Sequence, residues 1–206
     1  MKLRIAALTI LFFALTTTPA WAQSDWSYNN GPTNGDTDAW TINFGFIVSD
    51  TFVAGGTRVT DLVFETWLIT GDVVTSLDWS ITAQENGVCP GSGCYGYGTA
   101  NGYCLLTMSG TGTCPNATSI ITRWGNLNAY DYQLAAITIR TINVTGLVPG
   151  GTYWLNLQNA VTTFGDPVYW DENSGVGCTS PGCPSSASQN QVGTIPSETF
   201  TIFGSS

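Results

Sequence analysis

The chain has 206 residues, with 5 Lys and Arg, 14 Asp and Glu and no His, for a formal net charge of −9. Without imidazole no Ser-His-Asp or Cys-His nucleophile can be assembled, and no His-ligated metal centre. The acidic surplus disfavours nucleic acid and anionic membrane surfaces as partners. The first element in chain order is an export signal. Lys2 and Arg4 form a positive start, Ile5 to Leu15 is apolar, and Ala20-Trp21-Ala22 is the small-x-small pattern that signal peptidase cuts. The apolar core is too short for a membrane span, which takes roughly 20 residues. Residues 1–22 therefore read as a signal peptide, and 23–206 as a single domain with no membrane insertion after cleavage. That domain keeps only Arg58, Arg123 and Arg140 against 14 acidic residues, a net charge of −11, and has no Lys.

The remainder reads as strands and turns. Residues 40–48 alternate, with Trp40, Ile42, Phe44, Phe46 and Val48 on one face, which predicts a half-buried strand. Residues 58–69 are apolar on both faces and predict a more buried strand. Residues 73–83 alternate again, with Val73, Leu77, Trp79 and Ile81 opposite Ser76, Asp78 and Ser80. The Gly-rich stretch 85–118 reads as a stapled loop excursion. Between Tyr130 and Val144 the parity slips near Ala136-Ile137, which predicts a bulge or two short strands. A turn at 146–151 leads to a strand at 152–159, and 198–203 closes the fold. Many short strands between turn signals predict an all-β, two-sheet antiparallel sandwich, jelly-roll-like, with disulfide-stapled loops.

Six Cys follow the cleavage point. An even count in an exported chain favours cystines. The short Gly- and Pro-containing loops favour Cys89–Cys94 and Cys178–Cys183, which leaves Cys104–Cys114 by remainder. Other connectivities stay open, as does a four-Cys metal knot.

Several runs resemble a known group. They are Tyr28-Asn29-Asn30-Gly31-Pro32, Asp38 to Phe46, Val48-Ser49-Asp50-Thr51-Phe52, Trp67-Leu68 with Gly71-Asp72, Asp78-Trp79-Ser80-Ile81, Gly151 to Ala160, and Pro167 to Asn173. In combination these are similar to bacterial secreted proteins of the PEP-CTERM-associated type. The resemblance covers most of 28–203. It implies a Gram-negative source, a β-sandwich and an association with the envelope or exopolysaccharide matrix, with no established activity. The Pro-Glu-Pro sorting segment of that group is not matched at Gly204-Ser205-Ser206, so release into the medium or periplasm is expected.

Three kinds of site are suggested by the residues. Trp154, Asn156 and Gln158 share one face of the 152–158 strand, and Tyr169, Trp170, Asp171 and Glu172 offer a similar mixture. Indole beside amides and carboxylates suits a polysaccharide, by ring stacking and hydroxyl pairing. Asp36 and Asp38 give spaced oxygens for calcium, and no other cofactor is expected. Glu65 and Glu172 are the pair that a glycoside hydrolase would use. The favoured expectation is an exported, non-catalytic β-sandwich of the envelope or extracellular matrix that works by binding or as a matrix component, with glycan the foremost candidate ligand. A carboxylate-dependent glycoside hydrolase and a purely structural surface protein are the rivals.

Overall fold

A computed structural model describes residues 25–33, 35–87, 89–106, 119–140, 142–173 and 185–206. The expected export signal, Cys114, Cys178 and Cys183 lie outside the described residues, and so do the two pairings that involve them. The fold is an all-β sandwich of two antiparallel-dominated sheets, with no helix among the described residues.

The nine-stranded sheet contains β1 (Asp25–Asn29), β2 (Ala39–Thr41), β4 (Arg58–Leu68), β7 (Tyr103–Leu106), β8 (Ile120–Leu127), β9 (Gln133–Ile139), β10 (Val144–Thr145), β12 (Tyr169–Asp171) and β15 (Phe200–Ser205). Its main path runs β1-β15-β4-β9-β8-β7, with β10, β12 and β2 attached beside β4. The six-stranded sheet contains β3 (Ile47–Val53), β5 (Val74–Thr82), β6 (Cys94–Asn101), β11 (Thr152–Thr162), β13 (Ala187–Gln189) and β14 (Gly193–Ile195), ordered β14-β13-β3-β11-β5-β6.

Period-2 alternation builds the core. Leu62, Phe64 and Leu68 of β4 and Ile137 and Ile139 of β9 face Phe52, Leu77, Ile81, Leu155 and Leu157 from the other sheet. Burying such side chains contributes about 1.5–3 kcal/mol each. As the most apolar strand, β4 is central, flanked by β15 and β9. Its outward residues Asp61, Val63 and Glu65 are only half-buried, so its second face is less apolar in effect than in sequence.

Three expectations are corrected. The run 40–48 is two strands in different sheets, separated by a turn in which Phe46 N donates to Asn43 O at 3.1 Å. Phe44 and Gly45 take positive φ values of 56° and 86° there, which no strand accommodates. Of the two alternatives for Tyr130 to Val144, two short strands form, β9 and β10, but the break falls after Ile139 and not near Ala136, where Ala135, Ile137 and Ile139 are buried without interruption. The apolar Ala136 simply faces outward. Finally, 85–118 is not wholly an excursion. β6 edges the six-stranded sheet, and β7 edges the other, parallel to β8.

The Cys89–Cys94 disulfide is present, with a Cα–Cα distance of 5.6 Å, and closes the loop that enters β6. Cys104 is also disulfide-bonded.

Candidate functional site

The 169–173 run is mostly structural. Trp170 has 0% exposure. Its Nε1 donates to Thr199 O at 2.8 Å, and its ring meets Phe64 edge-on at 6.0 Å. Alternation then turns Asp171 to the opposite face. There its carboxylate accepts from Trp67 Nε1 at 2.5 Å, from Gly35 N at 3.3 Å and from the Thr33 hydroxyl, and is sealed from solvent. Glu172 returns inward and accepts from Trp40 Nε1 at 3.1 Å. Burial raises its pKa, and Asp38 and Asp171 add to the rise. Of Tyr169, Trp170, Asp171 and Glu172, only the Tyr169 ring is more than marginally exposed.

Asn173 continues into a polar clasp between the sheets. Asp50 points inward from β3, where its Oδ2 accepts from Glu198 N at 2.6 Å, Asn30 Nδ2 at 3.1 Å and Ser197 Oγ at 3.2 Å. Asn30 also donates to Glu198 O at 2.6 Å, and Tyr28 donates its hydroxyl to Asn30 Oδ1 at 2.8 Å. Asn173 Nδ2 donates to Ser197 Oγ at 3.0 Å and to Asn30 O. Burial pushes Asp50 up to about 7 despite these donors. Glu198 lies beside it, fully buried, with no hydrogen-bond partner on either carboxyl oxygen among the described residues. Burial and then Asp50 hold its pKa well above the ordinary carboxylate range.

The Trp154 face is open only in part: Trp154 and Gln158 are half-buried, and Asn156 between them is sealed. Asn156 is 1% exposed. Its amide donates to Thr82 Oγ1 at 2.9 Å and Ser80 Oγ at 3.1 Å, while its carbonyl accepts from Ser49 Oγ at 2.7 Å. Asn86, on the loop stapled by Cys89–Cys94, roofs this layer through Ser49 and Ser188. Gln158 lines a polar cleft of about 320 Å³ with Asp78, Trp79, Tyr97 and Thr99. Asp36 Oδ1 accepts from Ala129 N at 2.9 Å, and Asp38 Oδ1 from Ala39 N at 2.8 Å, so both brace loops. Among the described residues no cluster of three or more His, Cys, Asp or Glu is arranged to hold a metal.

A different surface combines one exposed phenol, Tyr130, and two half-buried ones, Tyr132 and Tyr169, over the buried indole of Trp67, with polar groups beside them. On the outer face of the nine-stranded sheet, Trp67 of β4 is paired in register with Tyr169 of β12. Tyr130, 57% exposed on the β8–β9 turn, stacks on Trp67 at 5.7 Å and 24°. Tyr132 packs against both Trp67 at 5.8 Å and Tyr169 at 5.5 Å. Burial, then hydrogen bonding with Tyr132, pushes the Tyr169 hydroxyl up to about 12. Two residues along β4 on the same face is Glu65, across β9 residue Ala136 from Arg123 of β8. Burial and Asp171 push Glu65 up to about 7, against the pull of Arg123. Beyond it runs a cleft of about 250 Å³ lined by Asn29, Thr33, Val63, Glu65 and Thr201. Past Val63 a second cleft of about 390 Å³ includes Trp26, Asp61, Arg140 and Phe203.

The expected Glu65–Glu172 pair does not assemble. Glu65 shares the outer face with Trp67, whereas Glu172 follows Trp170 onto the inner one, so the sheet lies between them. Sequence reading missed Trp67, Tyr130, Tyr132 and Arg123. The available signal was parity: Glu65 and Trp67 are two apart in one strand, and a Tyr-Asp-Tyr turn leads into the strand beside it. No protein-family model matches the chain, and no characterised protein matches it in sequence.

Proposed function

We propose that this is an exported, non-catalytic β-sandwich that binds a polysaccharide along the outer face of its nine-stranded sheet. The reading includes an extracellular or periplasmic site of action, in keeping with the resemblance to PEP-CTERM-associated proteins. The observation that carries it is the Tyr130–Trp67–Tyr132–Tyr169 assembly beside Glu65 and Arg123. Ring faces take the apolar C–H faces of a sugar, while phenol, carboxyl and guanidinium groups pair with its hydroxyls. The two consecutive clefts sharing Val63 suit an extended chain rather than a small compact ligand.

Binding fits this face better than hydrolysis does. A glycosidase needs a second carboxylate that reaches substrate or water. Asp171, the carboxylate that Glu65 feels, is closed off beneath Thr33, Gly35 and Trp67.

The test is affinity electrophoresis through gels holding neutral and uronate-containing bacterial polysaccharides. Retardation of the protein, lost in Tyr130→Ala and weakened in Arg123→Gln, is the expected result. Equal retardation of Tyr130→Ala and the parent protein would remove the assignment. Release of reducing ends that disappears in Glu65→Gln would favour the hydrolase instead.

A further inference from the structure

One end of the sandwich carries a second feature, independent of the sugar groove. β3 begins at this end, and its antiparallel neighbours β11 and β13 finish there. β5, antiparallel to β11, begins there too. Four connections are thereby gathered at one rim: 43–46, 69–72, 163–168 and 190–192. Hydrogen bonds tie them together. Asn43 Nδ2 donates to Asp166 O at 3.0 Å, Asn190 Nδ2 to Gly45 O at 3.2 Å, and Phe164 N to Asp72 Oδ1 at 3.0 Å. Each connection presents an exposed apolar side chain: Phe44, Ile69, Phe164 and Val192.

Phe44 is the telling residue. It is 64% exposed and sits at φ 56°, a conformation that is strained for a bulky side chain and free for Gly. Neither packing nor backbone preference accounts for Phe at this turn. Phe164, on the connection bonded to it, is 73% exposed. Strain retained at an exposed position points to a use outside the free protein.

We propose that this rim docks onto a zwitterionic lipid surface, with Phe44 and Phe164 entering the headgroup–acyl boundary. Four braced tips at one end can meet a plane together, and a plane needs no shape complementarity. The four connections contain no Lys or Arg, and the exported chain is strongly acidic, so anionic headgroups are disfavoured. The same charge opposes a second copy as the occupant. The aromatic tips suit the interface, where apolar rings are taken up reversibly without spanning the bilayer.

The experiment is co-sedimentation of the purified protein with phosphatidylcholine vesicles, repeated with phosphatidylglycerol added. The parent protein is expected to bind the first and to weaken with the second. Phe44→Gly combined with Phe164→Ser should lower partitioning about tenfold or more. The melting temperature should hold or rise, because Gly relieves the turn. Polysaccharide binding should be unchanged, which separates failure here from failure of the sugar reading. No co-sedimentation of the parent protein overturns the proposal, as does equal partitioning of the variant. Light scattering that shows a parent dimer abolished by the two substitutions would assign the rim to self-association and overturn it as well.

Discussion

The nine-stranded sheet has an aromatic–polar assembly on each of its faces, and the two behave oppositely. On the inner side, Trp170, Glu172, Glu198 and Asn173 join Asp50 and Asn30 in a sealed clasp whose donors are mostly spent on one another. On the outer side, Tyr130, Tyr132 and Tyr169 surround Trp67 with ring surface left over, beside a carboxyl poised near neutrality. The chemical ingredients are nearly the same: indole, phenol, carboxyl and amide. What differs is satisfaction and access. A buried polar group left unpaired costs about 1–3 kcal/mol, and the inner set pairs itself except at the Glu198 carboxyl, which has no hydrogen-bond partner among the described residues. The outer set leaves part of its phenol rings exposed, Tyr130 most of all.

The sharpest way to break this comparison is Trp170→Ala. Loss of a fully buried indole packed on Phe64 and Phe200 should cost about 3–5 kcal/mol in urea unfolding. A stable variant that had lost only sugar binding would place Trp170 in a ligand site, against the account. Asn30→Ala comes next. It strips a donor from Asp50 and Glu198 O together, and a loss of about 2–3 kcal/mol is expected from the same unfolding curves.

The clasp also sets a pH dependence. Asp50 and Glu198 have folded pKa values raised above their unfolded ones, chiefly by burial, so the folded state holds more protons between the two. The contribution of Asp50 is complete below the unfolded carboxylate range, near pH 4, and is lost as pH rises through about 7; that of Glu198 is lost in the same direction, as pH rises through its own raised pKa. Melting temperature should therefore fall from pH 5 to pH 8, with the same sign contributed by Glu65. Glu198→Gln should flatten that slope, because an amide cannot ionise; a slope as steep as the parent's would show that Glu198 is not a source of it.

Smaller effects belong outside. Tyr130→Ala should change stability by no more than about 1 kcal/mol, since its ring is mostly exposed and its contact is one stack on Trp67. Trp154→Ala should leave polysaccharide binding where it was, because Asn156 beside it is closed under the Asn86 loop.

Strand parity made much of the fold legible. The strands near 58–69, 73–83, 152–159 and 198–203 all form, and the two-layer arrangement follows from their alternation. Cys89–Cys94 was legible because a four-residue Gly- and Pro-containing spacer brings the thiols together. The turn at Phe44 was not, because an exposed Phe at positive φ continues the apolar alternation that marks a strand. The candidate site was legible only in fragments. Tyr169 and Glu65 are on the outer face, but Trp170, Asp171 and Asn156 attracted attention for the chemistry that makes them good internal partners. Composition cannot separate a ring that stacks on a ligand from one that stacks on Phe64. Only the register of β12 against β4 assigns Tyr169 outward and Trp170 inward.

The most direct measurement is a paired titration of one retained polysaccharide against Tyr130→Ala and Trp154→Ala, with melting temperatures recorded for both. The account predicts that Tyr130→Ala weakens binding about tenfold or more at an almost unchanged melting temperature, while Trp154→Ala binds as the parent protein does. Binding that survives Tyr130→Ala and disappears in Trp154→Ala would place the ligand on the six-stranded sheet and contradict it.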